Sequence, residues 1–303
     1  MTDGNYGDAF APRSSFGRSA LEQIWSRYDA SVDGLTSTAF IAREPHVITF
    51  ANEKGGVGKS TSAFHTAIAL CNAGESVAII DLDFRQRSLA KAVENRAATA
   101  RRLAIDFPCP VNDIFDTVVA GALSHEIRRL GRTCDFIIID VAGHDSEIAR
   151  VAVSIADTLV TPMNDSFVDL ELLGHFDADD MQLATLGPFA SLVKNLATNR
   201  GHKQARSLDW VVLRNRIRSL ASQNERRFSE ALSQVAPIAG FRIGSGLSER
   251  VVYRELYPFG LTLLDGEFLP DLRNVRQVAK DEMHAMLSSL RLPEKAHLPQ
   301  PVG

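Results

Sequence analysis

The segment Lys54-Gly55-Gly56-Val57-Gly58-Lys59-Ser60-Thr61 places three glycines, two lysines and two hydroxyls within eight residues. Glycines leave no side chains in the way, so the backbone N–H groups of such a loop, that of Val57 included, can close on the oxygens of a triphosphate. Lys59 then reaches the β- and γ-phosphates as a compact charge. Ser60, at the start of a helix, offers its hydroxyl to Mg2+, with Thr61 beside it as a helper. The chemistry this pattern can do is binding of ATP with Mg2+ and transfer of the γ-phosphoryl group.

Carboxylates recur where such a site needs them. The apolar run 77–80 ends at Asp81, and Asp83 stands at the next alternate position, so both can face a nucleotide. A second apolar run, Phe136-Ile137-Ile138-Ile139, ends at Asp140, a placement suited to holding a metal-bound water at the carboxyl edge of a sheet. Ser60 and Asp140 are therefore the expected metal group on residue chemistry alone. Val141-Ala142-Gly143-His144-Asp145 follows, in which Gly143 supplies loop freedom and His144 is read as facing solvent.

The elements that must position these groups are legible from periodicity. The β-rich run 46–51 enters the glycine loop, a helix over 60–71 ends near Gly74, and 77–81 forms a second strand, which together make a βαβ unit. Further buried strands are expected over 136–141, 158–163, 210–213 and 261–264, and helices over 89–103, 112–130 and 275–290. The alternation predicts an α/β fold, a mostly parallel sheet with helices on both faces. The expected division is an N-terminal extension over 1–44, a nucleotide-binding domain over 45–291 and a tail over 292–303. In the extension, Leu21, Ile24, Trp25 and Tyr28 recur at helical spacing, so one short amphipathic helix is expected over 19–30, with the remainder disordered.

The chain has 303 residues, 45% of them hydrophobic, and a formal charge of −4, so it can bury a large core and carries no global charge bias toward nucleic acid. Cys71, Cys109 and Cys134 have neither disulfide nor ligand spacing and read as apolar filler. No run of about eighteen apolar residues and no basic-then-apolar leader is found, so a cytoplasmic location without a membrane span is expected.

Two departures from the ordinary Walker A loop are informative. Glu53 stands where that pattern has its first glycine, and the extra Lys54 precedes the glycine pair. This is the deviant Walker A signature, and the chain resembles the ParA/MinD superfamily of dimerising P-loop ATPases. The resemblance implies that Lys54 reaches the partner subunit's ATP across a nucleotide sandwich. It further implies that Asp83 positions or activates the attacking water, that Asp81 supports the metal, and that Asn215 and Arg216 contact adenine, with the turn 257–260 as another wall. Lys54, Lys59 and Asp83 are then the catalytic group. Within the superfamily, the strings 52–56, 81–87, 161–169, 209–216, 240–244 and 253–265 resemble the MipZ family over about residues 46–290. That likeness implies slow, dimer-dependent hydrolysis, a homodimer when ATP-bound, non-specific DNA binding and nucleoid association. It also implies a ParB-like partner and inhibition of FtsZ polymerisation. A ParA-type segregation ATPase shares all but the last. A MinD-like membrane ATPase would need a basic amphipathic helix at its C-terminus, which 292–299 does not offer.

One local feature is independent of the resemblance. Between Trp210 and Gly260 stand eight arginines against four glutamates, a local excess of positive charge in a chain of net negative charge. Arg218, Arg226, Arg227, Arg250 and Arg254 are the candidate DNA contacts, binding phosphates without reading bases.

Overall fold

The computed structural model describes residues 44–112, 119–177, 179–200, 207–215, 223–273 and 277–293, all within one compact unit, Ala42–Gly303. The helix expected over 19–30, the end of the chain from 294, and Arg216 and Arg218 lie outside these residues. Strand β1 (His46–Phe50) passes through the glycine loop into α1 (Lys59–Asn72), followed by β2 (Val77–Asp81) and α2 (Ser88–Leu103). Then come β3 (Val111–Asn112), α3 (Ala120–Leu130), β4 (Phe136–Asp140), α4 (Glu147–Ile155) and β5 (Thr158–Asn164). A four-residue α5 (Phe167–Leu170) precedes the antiparallel pair β6 (Gly174–Phe176) and β7 (Leu183–Leu186), and then α6 (Pro188–Arg200) and β8 (Asp209–Asn215). The remainder is α7 (Gln223–Ala239), β9 (Arg242–Ser245), α8 (Val251–Leu256), two 3-10 turns (Tyr257–Phe259 and Leu263–Glu267), α9 (Pro270–Arg273) and α10 (Gln277–Leu290).

Seven strands form one sheet in the order β3-β2-β4-β1-β5-β8-β9, every pairing parallel. Strands covered on both faces read as continuous apolar runs, and β4 does so: Ile137, Ile138 and Ile139 are fully buried, each burial contributing about 1.5–3 kcal/mol. On one face Ile48, Phe50, Ile79, Ile138 and Leu213 join Phe64 and Ile68 of α1 and Met283 and Met286 of α10. On the other, Thr49 donates to Ala152 O of α4 (2.9 Å), and the Trp210 ring packs edge-on against Phe189 of α6. Helix α1 stops where Gly74, at φ 81°, turns the chain and Glu75 N–H returns to Leu70 O.

The strand expected over 261–264 is not formed. Thr262 instead caps a 3-10 turn, its hydroxyl accepting Leu264 N–H (3.1 Å) while Asp265 Oδ2 accepts Thr262 N–H (2.7 Å). This reciprocal cap satisfies the backbone locally and outcompetes a ladder. The seventh strand is β9, whose Gly244 and Ser245 carry little strand signal. At Gly244 a Cβ would lie 2.8 Å from the Leu213 side chain, so a larger residue there would have to displace it.

His65 of α1 is buried neutral. Its Nδ1–H donates to Thr61 O (2.7 Å), Nε2 has no partner, and the ring meets Tyr253 edge-on at 5.7 Å. Burial pushes its pKa down to about 4, against about 6.5 for an unfolded chain. Between these values the unfolded state binds more protons, so this contribution to stability is full above about pH 6.5 and is lost as pH falls toward 4. From pH 7 to pH 5 the loss is about 2 kcal/mol. Urea unfolding at the two pH values checks it: His65→Leu should remove that part of the slope, and an unchanged slope would assign it elsewhere.

Candidate active site

The glycine loop leaves the middle of the sheet after β1 and is fixed at its base by Asn52. Asn52 Nδ2 donates to Pro162 O (2.8 Å) while its Oδ1 accepts Lys54 N–H (3.0 Å). Gly58, at φ 95°, starts α1, and a Cβ there would lie 2.6 Å from Asn215 Nδ2. Gly143, expected to give loop freedom, also lies in close contact with the glycine loop. A Cβ on Gly143 would come within 3.0 Å of Gly55 N and Lys54 C, so the loop after β4 rests directly on the glycine loop, backbone to backbone. Lys59 is buried and donates to Lys54 O (2.7 Å). Burial lowers its pKa, opposed by the nearby Asp140 and Asp83.

Parallel register sets Asp81 level with Asp140 on adjacent strands. Asp140 is 1% exposed, the Ser60 hydroxyl bonds to it, and its Oδ1 has no partner. Burial first, then the neighbouring Asp81, pushes its pKa up to about 8. A buried, unpartnered carboxylate oxygen beside a serine hydroxyl fits a hard cation held partly through water. Among the described residues no cluster of three or more His, Cys, Asp or Glu could hold a metal alone, so phosphate oxygens and water would complete the shell of Mg2+. Asp81, expected to support the metal, spends an oxygen each on Asp83 N–H (3.0 Å) and Ala90 N–H (3.0 Å). It therefore shapes the loop that presents Asp83.

An open cleft of about 550 Å3 joins Gly55, Gly56, Gly58, Lys59, Ser60 and Thr61 to Asp83 and Gly143. His144 lies exposed on its rim, as read from the sequence. Tyr257 forms another wall, its hydroxyl donating to Ser88 O (2.8 Å). That wall is backed by a fully buried ion pair. Arg96 Nη1 and Nη2 donate to the two Asp265 oxygens (3.0 and 2.7 Å), Nη1 also to Gly260 O (3.0 Å), and Nε to Pro108 O (2.8 Å).

Two residues with expected ligand roles are engaged within the chain. Asn215, expected at the adenine edge, is 4% exposed, and its carboxamide is bonded on both sides: Nδ2 donates to Val57 O (2.9 Å) and Oδ1 accepts Leu247 N–H (2.8 Å). It staples the glycine loop to the end of β8. Arg250, a candidate DNA contact, is paired with Glu282 (2.7 Å from Nε to Oε2). Arg214 and Arg242, two more of the eight arginines, are likewise paired, with Asp165 and Asp209. Arg226 and Arg227 on α7 and Arg254 on α8 are exposed. Lys54 does not line the cleft; its ammonium pairs with Asp169, a residue not singled out from sequence. Arg85 and Gln86, also not singled out, line the cleft.

The family model described as ATPase MipZ matches residues 46–294. The chain belongs to the MipZ family of ATPases. The match spans the sheet from β1 to beyond α10 and includes every cleft residue named above. Apo McdA of Cyanthece is 18% identical, with 81% of this chain and 99% of that one aligned at a TM-score of 0.54. MinD of Aquifex aeolicus is 19% identical over 82% of this chain and 99% of that one, at a TM-score of 0.49. At such identity the likeness speaks to fold alone, which for McdA it does over nearly the whole of that protein. No curated protein matches the sequence. Among the described residues no helix of this MipZ-family chain is long and apolar enough to cross a membrane.

Proposed function

We propose that this MipZ-family chain is a Mg-ATP-dependent dimerising switch that binds DNA without sequence preference and opposes FtsZ polymerisation. The observation that carries the reading is the division of labour between two lysines: Lys59 lines the phosphate cleft, whereas Lys54, from the same loop, lies outside it with its side chain 36% exposed. A charge outside its own cleft can serve a second subunit's nucleotide, so ATP-loaded monomers would complete each other's sites.

In this mechanism the glycine-loop N–H groups and Lys59 bind the triphosphate, Lys54 neutralises the partner's phosphoryl oxygens, and Asp83 orients the attacking water. Ser60, and Asp140 through water, would hold Mg2+, which would supply neutralisation of phosphoryl charge. Slow, dimer-dependent hydrolysis follows from a site that each monomer has only in part. Residues 45–291 would act as the ATPase domain, with 1–44 and 292–303 as extension and tail. Arg226, Arg227 and Arg254, exposed on each subunit, are the best-supported DNA contacts, and dimerisation would double them. A ParB-like protein and the nucleoid surface are the further partners of this reading.

The test is FtsZ polymer mass, by sedimentation and light scattering, with the protein in Mg-ATP and with Asp83→Ala to hold the ATP-bound dimer. Inhibition that needs ATP and disappears in Lys54→Ala supports the reading. Intact dimerisation and DNA binding without inhibition would instead indicate a ParA-type segregation ATPase.

A further inference from the structure

Lys54 is held from two directions by the chain at and beyond the end of β5. Its N–H donates to Asn52 Oδ1, and Asn52 is itself bonded to Pro162 O. Its ammonium pairs with Asp169 on α5, whose side chain is 3% exposed. The other Asp169 oxygen accepts Asn164 N–H (3.1 Å), so the carboxylate cannot turn away. Helix α5 is anchored in turn. Asp165 takes Nε and Nη2 of Arg214 from β8 (2.9 and 2.5 Å), Arg214 lies 5.3 Å from the Phe228 ring of α7, and Phe167 packs edge-on against Phe228 at 6.0 Å. Neither Asp165, Phe167, Asp169 nor Arg214 lines the nucleotide cleft.

We propose that Asp169 is a positioning residue for Lys54, acting from a fixed post formed by α5. The inference rests on the reading of Lys54 as the contact to the partner's nucleotide. A carboxylate this buried is strongly destabilised without a counter-charge, so the ammonium stays with it. An ammonium has three donors, and one on Asp169 leaves two for phosphoryl oxygens. The rotamer freedom that a loose lysine would lose on contact is already lost in the single subunit, which favours closure of the dimer. Asp165, Phe167 and Arg214 act one step further back, by keeping α5 in place.

ATP turnover measured against protein concentration for wild type, Lys54→Ala, Asp169→Asn and the double variant tests this. Asp169→Asn should raise the concentration for half-maximal turnover about tenfold or more, while a fluorescent ATP analogue binds the dilute protein within about twofold of wild type. Added to Lys54→Ala, it should have no further effect, because its influence passes through the lysine. Full turnover in Lys54→Ala would remove the cross-subunit reading and this inference with it. A defective Lys54→Ala beside a normal Asp169→Asn, or two effects that multiply, would overturn the positioning role alone. Should Asp169→Asn not fold, Arg214→Gln loosens α5 with Asp169 in place: the same shift, smaller and dependent on Lys54, supports the proposal, and no shift overturns it.

Discussion

Lys59→Met is expected to lower ATP turnover by about 10²–10³-fold, the cost typical of removing one group that stabilises charge developing in a transition state. The ammonium is buried at the head of α1, within reach of both Asp140 and Asp83, and is fixed by Lys54 O. Among the described residues no other lysine lines the cleft, so nothing replaces the charge directed at phosphoryl oxygens. Methionine keeps the stem and its packing, which separates lost charge from a collapsed loop. Phosphate release at saturating Mg-ATP and a melting curve decide it. Turnover within tenfold of wild type would mean that this loop is not where ATP is hydrolysed.

The second large effect is on stability. Arg96→Ala should cost about 3–5 kcal/mol, because it leaves the fully buried Asp265 without its partner. It also orphans the carbonyls of Pro108 and Gly260 and removes a guanidinium lying 4.9 Å from the Phe107 ring centre. For a domain of this size the melting temperature should fall by about 10 °C. Arg101→Ala, exposed on the same helix, should change stability by less than about 0.5 kcal/mol. A loss of only a degree or two for Arg96→Ala would show that the pair is not what holds the turn carrying Tyr257 against α2.

Arg96 also marks where the sequence stopped being legible. The glycine loop could be read because its chemistry is a backbone requirement, expressed as glycines at fixed spacing. Asp140 could be read because a carboxylate closing a run of isoleucines is costly to bury unless it has a cation to hold. The central strands were legible because burial on both faces leaves a continuous apolar run. Arg96, Asn215, Asp169 and Arg250 depend instead on partners far along the chain: Asp265, Val57 and Leu247, Lys54, and Glu282. An arginine in a polar helix looks like solvent-exposed surface until its partner is placed. The run 261–264 looked like a strand because a short apolar stretch does not say which way its backbone hydrogen bonds will close. Residues 242–245 carry only a weak strand pattern, because a glycine and a serine interrupt it and neighbours such as Leu213 complete the strand.

The register that sets Asp81 level with Asp140 carries one more consequence. Two carboxylates at adjacent strand ends, one wholly buried, are a local conflict in a sheet whose other central positions agree with one another. A chain optimised only for robustness would place an apolar residue at one of them. This site is therefore where the sequence gives up thermal resilience for chemistry. Engineering the protein for endurance would have to leave these two positions alone and work at the periphery, because relieving this frustration would remove the activity with it.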